Sequence, residues 1–549
     1  NPVEFKNYRT VLVGKENSDT RSIAENNELL FFTNYASENG QVKSWLHEHD
    51  TRYNCYNESE EIAGGVPVNR PNIFVKEMNP YEIKTQAGTL HYNMKWLDND
   101  KGLQKKRAFL KSIWLQTCAY LYKEERIRPE ELRWSYPGSM MEADSAELEK
   151  IFEELCRMTP ITGGRQPQLG RELTTEAEAV CSFALSRDFG LNKDNMFLGI
   201  DVGGSTSDIL LLAKDQNNGN KSSLYRESSV RIAAGVFFNA VIKSESFRQA
   251  LVSFHEGRKT KVFVANIKEV LTQPSKAPYY LNSIFDQLKS ENDYEEFYSS
   301  INNNARFVFT IPAYVTGLLL FYSGMLIGKT IKTEKMDHIR RVDVLSFGKG
   351  GRLFHWLRSS ATQRVTNEYY ENCLNAGVNL VTEKNLEVKY RDEIEINNKA
   401  EVAMGLVDAK ELIKKQQEVD SDICGETGVK YIMDDGTPKE LQTEDELTGE
   451  YFANEMNKFD FSGVTNFEKF MEIFIDFVSQ KTRLYPQADN LREELADLPN
   501  RITSYICNND DEYRKARRTQ GDDFTYHQPI IIAEGACFLD TLIKKAFNQ

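Results

Sequence analysis

The stretch 196–212, MFLGIDVGGSTSDILLL, constrains the fold more than any other. An apolar run over 196–200 reads as a buried strand, residues 201–208 turn the chain, and a second apolar run over 209–213 carries it back. Two such runs joined by a glycine-containing turn specify a β-hairpin. The turn, Asp201-Val202-Gly203-Gly204-Ser205-Thr206-Ser207-Asp208, is richer in donors than a plain hairpin needs. Gly203 and Gly204 have no Cβ, so a ligand can approach their backbone N–H groups closely. Successive amides directed into one concavity suit a phosphate, and Ser205 and Thr206 add hydroxyl donors. Asp201 stands at a strand end, where its carboxylate can hold Mg²⁺ through water, because that ion keeps much of its hydration shell. No Lys follows the glycines and the turn leads into a strand, so it is not a Walker-type loop. Taken alone, the stretch is equally compatible with an acidic, Gly-rich turn that binds nothing.

Composition narrows the classes. A chain of 549 residues exceeds one core, so two or more domains are expected. Hydrophobic and charged fractions of 40% and 27% suit a soluble globular protein. A net charge of −14 argues against non-specific nucleic-acid binding, which needs clustered Lys and Arg. It leaves room for a nucleotide, whose phosphates backbone amides and a metal can hold. The 8 cysteines include no C-x-x-C pair and read as reduced, buried thiols of a cytoplasmic protein rather than a disulfide framework. His47-Glu48-His49 reads as an exposed helix face rather than a metal site. The sequence opens on Asn1 with no signal-like segment, the reading of a piece of a longer chain.

Strands are expected at 10–13, 29–33, 72–76, 87–97 and 132–135, and helices at 102–125, 143–158 and 172–187. The last is rich in small residues, which lets it pack tightly against a neighbour. After the hairpin come a strand at 229–234, a helix opening at Gly235, and a polar, mostly helical stretch over 243–304. Residues 307–328 form an uncharged run of about 22, long enough to span a bilayer. Pro312, Gly317, Gly324 and several hydroxyls within it favour a helix buried in the protein over a membrane span. Residues 342–357 read strand, glycine loop, helix, with Gly348, Gly350 and Gly351 allowing close backbone approach. A strand at 386–390, a helix at 400–412 and an aromatic-rich core helix at 467–478 follow, and 529–547 repeats the strand–glycine–helix pattern.

The order of these elements resembles the superfamily of actins, sugar kinases and heat-shock chaperone ATPase domains, closest to the seventy-kilodalton chaperones. The turn 201–208 is similar to the chaperones' D-L-G-G-G-T-F-D. Residues 347–351 are similar to their V-G-G-S-T, 175–181 to N-E-P-T-A-A-A, 402–405 to V-A-Y-G, and 132–137 to a strand–Pro pattern. The resemblance implies a two-lobed, actin-like (ribonuclease H-like) α/β fold, with ATP in the cleft and two connecting helices crossing between the lobes. The first lobe is expected over 1–195 and the second over 196–412, with a helical insertion at about 243–305 and a mostly helical C-terminal extension over 413–549. Asp201 matches the family's metal-organising carboxylate, with Asp208 as a second metal carboxylate. Gly203, Gly204, Ser205 and Thr206 match the phosphate loop. Gly235 matches a glycine near the nucleoside, and Gly348, Gly350 and Gly351 match the adenosine platform. Glu176 falls where the chaperones keep a Glu near the attacking water. Glu178 competes with it, and helical geometry lets only one point into the cleft. The family's first phosphate hairpin, D-x-G-T, is absent from 1–100, so it lies upstream of Asn1 or is missing. The expected activity is a Mg²⁺-dependent ATPase that switches a protein partner. The alternative is a non-catalytic scaffold or filament former that has lost part of the clamp.

Overall fold

The computed structural model describes residues 129–136, 142–158, 166–170, 174–186, 191–204, 206–215, 221–259, 261–272, 294–358, 362–391, 400–408, 422–433, 435–446, 459–461, 463–509 and 528–547, with short strands and single positions besides. These fall into two compact units. The first is Asn1–Tyr136, Met140–Leu173 and Lys259–Glu291; the second is Pro137–Ser139, Thr174–Arg258 and Asn292–Gln549.

In the first unit, helix α1 (Glu142–Met158) buries Leu148, Ile151 and Leu155 against Trp114, Trp134 and Met140. Trp134 stacks on Phe152 at 4.8 Å. Residues Ile73–Val75, Tyr53–Tyr56 and Thr89–His91 form an antiparallel sheet, in keeping with strands read at 72–76 and 87–97. The strands expected at 10–13 and 29–33, and His47-Glu48-His49, lie outside the described residues.

The second unit is α/β and is built on a mixed five-stranded sheet. Its strands are β1 (Asn195–Val202), β2 (Ser207–Asp215), β3 (Lys221–Val230), β4 (Arg341–Phe347) and β5 (Glu387–Tyr390), in the order β3-β2-β1-β4-β5. The hairpin β1–β2 pairs from Met196↔Ala213 to Val202↔Ser207, and β3 continues the antiparallel meander. Strands β4 and β5 run parallel to β1.

Side-chain alternation gives the sheet two faces. Phe197, Leu210, Leu212, Leu345 and Phe347 share one, and helix α2 (Glu176–Ser186) covers it with Ala177, Val180, Cys181 and Ala184. After the sheet's third strand come α3 (Gly235–Val241) and α4 (Glu245–His255). Helix α5 (Thr310–Thr333) is buried at every position from Thr310 to Gly328, so the apolar run at 307–328 is a core helix. It crosses α7 (Gln363–Asn379), which follows the short α6 (Arg352–Trp356), at backbone contact. A Cβ on Gly324 would lie 2.0 Å from the Leu374 carbonyl, and one on Gly377 2.0 Å from that of Phe321. Helix α8 (Ala400–Asp408) meets α2 as closely, with Gly405 against the carbonyl of Ala179. This is the tight packing anticipated for the small residues of α2.

Several elements differ from expectation. The strand expected at 229–234 is β3, which ends at Val230 and begins at Lys221. Its polar sequence hid it. Ser223, Arg226, Glu227, Ser228 and Ser229 are all buried, because the chain at 422–446 covers this sheet edge. Ser228 donates to Asp422, and Arg226 lies 3.6 Å from Glu446. Helix α2 starts at Glu176 rather than 172, since Thr174–Thr175 is extended. The stretch 413–549, expected to be mostly helical, includes an antiparallel sheet of β6 (Val429–Ile432), β7 (Pro438–Leu441) and β8 (Phe459–Asp460). Its hairpin turns at Asp435-Gly436, with Gly436 at φ +81°. Helix α9 (Thr465–Asp476) is the aromatic core helix read at 467–478; Phe470 and Phe474 sit 5.5 and 5.2 Å from Tyr314. The second strand–glycine–helix pattern is absent: α10 (Ile530–Phe547) is one helix. Burial of Ile530, Ile531 and Ile532 overrides their β preference. Gly535 lies inside that helix, accepting a hydrogen bond from the Tyr314 hydroxyl at 2.8 Å. Units and linear partition also differ. Helix α2 and the whole of 413–549 belong with the sheet, and Lys259–Glu291 of the expected insertion groups with the first unit.

Cys156, Cys181, Cys373, Cys424 and Cys537 are free and buried. Burial pushes the thiols of Cys156 and Cys537 up to about 11, which leaves them unreactive at neutral pH.

Candidate functional site

Three glycine-bearing segments meet where β1 and β4 end. The turn after β1 closes on itself, with the Gly203 amide donating to the Thr206 carbonyl at 2.8 Å. The chain leaving β3 docks on it: Ala234 donates to the Gly203 carbonyl and Gly235 to the Gly204 carbonyl, both at 3.1 Å. Ser207 fastens the other side, its hydroxyl donating to the Ile232 carbonyl. A Cβ at Gly235 would lie 2.3 Å from the Gly204 carbonyl, so only glycine fits.

The loop after β4 arrives on the same spot. A Cβ on Gly350 would stand 2.4 Å from the Val202 carbonyl and 2.8 Å from Cβ of Ala234. Gly348, at φ +68°, would place one 2.1 Å from Oδ1 of Asp201. The register Asp201↔Phe347 brings these ends level. Gly351 donates to the Gly348 carbonyl, closing a short 3₁₀ turn before α6.

The position follows from topology. From β1 the chain turns to β2 on one side, and from β4 it crosses to β5 on the other. Ligands of open α/β sheets lodge outside the carboxyl ends of strands at such a switch point. Nothing within 4 Å would meet a Cβ on Gly204, so the tip of the turn opens outward. With Gly203 and Gly235 committed to internal bonds, a ligand would meet the amides from Gly204 onward.

The acidic residues divide. Asp201 is half-buried at the strand end, with its carboxylate over Gly348. Asp208, its partner across the hairpin, is buried and accepts a hydrogen bond from the Ser229 hydroxyl. Among the described residues no three His, Cys, Asp or Glu side chains gather as a metal cage. A Mg²⁺ held by Asp201 would therefore draw the rest of its shell from water and phosphate oxygens, which is its usual habit. The uncrowded cradle at Gly204 fits that arrangement. Ser205 and the Lys349 side chain lie outside the described residues, and Thr206 is buried.

Glu176 and Glu178 open α2 in different roles. The Thr175 hydroxyl accepts from the Glu178 amide at 3.0 Å, and the Glu178 carboxylate accepts from the Thr175 amide at 2.7 Å. This reciprocal capping box commits Glu178 to the helix end. Glu176, two residues earlier, is half-buried at the start of the helix that covers the Asp201 face. Glu178→Ala is expected to cost about 1 kcal/mol, read as a lower urea midpoint with unchanged slope. The T-x-x-E spacing was the signal in the sequence that separates the two.

The chain matches no protein-family model, and no curated protein matches it.

Proposed function

We propose that this protein is an actin-like, chaperone-like ATPase. Its polyphosphate site is the glycine cradle formed by the turn after β1, Ala234-Gly235 and Gly348–Gly351. One observation carries the reading: three glycine-bearing segments converge at the carboxyl ends of β1 and β4, and Gly235, Gly348 and Gly350 leave no room for a side chain where they meet the turn after β1. The strand order β3-β2-β1-β4-β5 and the close pairing of α2 with α8, the expected connecting helices, are further support.

In this reading the amides from Gly204 onward hold the terminal phosphates of ATP. Gly348, Gly350 and Gly351 let the nucleoside approach the backbone. Asp201 would anchor Mg²⁺, which neutralises charge on the transferring phosphoryl group. Glu176 orients the attacking water and accepts its proton. Lobe closure on the nucleotide then switches the interaction with a protein partner.

Mg-ATP is expected to raise the melting temperature of the wild-type protein by ligand linkage, and Gly350→Val is expected to abolish that rise. Glu176→Gln should keep the rise and lose phosphate release by about 10²–10⁴-fold. A Gly350→Val protein stabilised by Mg-ATP as well as wild type would end the proposal. The non-catalytic scaffold is the second reading, favoured by the commitment of Asp208 to Ser229. It predicts ATP-dependent light scattering with no phosphate released.

A further inference from the structure

A cavity of about 740 Å³ lies in the same unit. None of its lining residues belongs to the glycine cradle. Lys243 and Arg248 enter it from the N-terminal end of α4, Arg306 from the turn before α5, and Arg483 from the loop after α9. Four cations from three separate segments thus face one space in a chain of net charge −14. One carboxylate, Glu245, shares the lining, and its Oε1 accepts a hydrogen bond from Gln249 at 3.0 Å.

The cations are not there to balance acids. Lys243, Arg248 and Arg483 form no side-chain ion pair among the described residues. Arg306 spends one guanidinium nitrogen on the Thr482 carbonyl at 2.6 Å, which fixes it beside Arg483. Arg483 itself holds φ +53°, a conformation that glycine would adopt more easily. Four like charges gathered around a single carboxylate repel one another and favour a bound anion. Phe307, Leu484 and Pro486 add apolar surface to the same lining. The volume falls within the range of about 300–1,000 Å³ typical of small-molecule pockets.

We propose that this cavity binds a small polyanion, a molecule carrying at least two phosphate groups on an apolar body. It is independent of the ATP site. Helix α3 starts on the cradle at Gly235 and ends just before Lys243, and its seven residues rise about 10 Å.

Inorganic pyrophosphate, titrated calorimetrically into the full chain with EDTA and at fixed ionic strength, tests this. Wild type is expected to bind one equivalent. Arg248→Ala combined with Arg483→Gly should weaken binding by at least about tenfold, the loss of two charge-assisted contacts. The glycine preserves the backbone at 483. Lys243→Gln, at an exposed position, should weaken it in the same direction. Gly350→Val, which disrupts the cradle, should leave the affinity within about twofold. Absence of binding to wild type, unchanged binding by the double variant, or an equal loss in Gly350→Val each overturns the assignment.

Discussion

Asp343→Ala is expected to destabilise the second unit by about 3–5 kcal/mol, the usual result of removing one partner from a buried ion pair. Asp343 lies in β4 and is 1% exposed. Arg391, just past β5, donates to its Oδ1 at 3.0 Å, and Arg341 donates to Oδ2 at 3.2 and 3.3 Å. The Asn195 amide, at the start of β1, also donates to Oδ2. One carboxylate therefore ties β1, β4 and β5 across the three parallel strands. Alanine would take the shared carboxylate away from two partly buried guanidinium groups. Asp343→Asn keeps the volume and one acceptor, so it should cost less than alanine yet remain clearly destabilising. Urea unfolding followed by circular dichroism reads both, with the midpoint falling in the order wild type, Asn, Ala. Since β4 carries Phe347 and Gly348–Gly351 to the cradle, Asp343→Ala should also weaken the Mg-ATP binding proposed for it. Full stability in the alanine variant would show that backbone pairing alone holds these strands in register.

Local signals made the centre of this fold legible. The hairpin at 196–213 announces itself through two apolar runs and a glycine turn, and the structure extends it only by a residue or two. The strand and glycine loop at 342–351 and the buried helix at 307–328 follow from apolar length and composition. What was not legible depends on partners far away in sequence. β3 reads as polar because its burial comes from 422–446. The Ile530-Ile531-Ile532 run reads as a strand because nothing local reveals that it will be buried, with the chain at Cys424-Gly425 packed on Ile531. At the site, spacing alone singled out each glycine segment, but it could not bring 203–204, 235 and 348–351 together. That expectation came from the order of motifs. The basic cavity left no trace, since Lys243, Arg248, Arg306 and Arg483 are isolated charges until the fold assembles them.

The pH dependence of the second unit should be governed in good part by two buried glutamates. Glu426 lies before β6, and its carboxylate accepts from the amides of Asn466 and Phe467 at 2.7 and 2.9 Å, capping α9, and from that of Thr427 at 2.7 Å. Glu534, in α10, is wholly buried and faces Glu426. Apart from the carboxyl of Glu426, no hydrogen-bond partner among the described residues reaches its oxygens. Burial, then the charge of Glu426, pushes its carboxyl well above the ordinary 4.5; Cys537 adds to this from its own helix, and Cys424 and Tyr314 are the other titratable groups alongside. Burial also raises Glu426, but its three backbone donors favour the charged form. Two carboxylates this close do not both ionise, so Glu426 carries the charge and Glu534 the proton. A folded-state value above the unfolded one means that folding takes up a proton. The corresponding stability is complete below about pH 4.5 and is lost as pH rises towards the folded value, at about 1.4 kcal/mol per pH unit. Glu534→Gln removes the titration. It should therefore gain stability over wild type as pH rises from 6 to 8, with a flatter profile. Glu426→Gln should do the opposite, destabilising the protein by about 1–3 kcal/mol because an amide cannot serve three N–H donors as a carboxylate does. Hydrogen exchange at the Asn466 and Phe467 amides localises the effect to the start of α9. There, protection should fall with rising pH in wild type and hold in Glu534→Gln, after correction for the intrinsic exchange rate. Parallel profiles in the two proteins would mean that Glu534 ionises without penalty, and the assignment of the shared proton would be wrong.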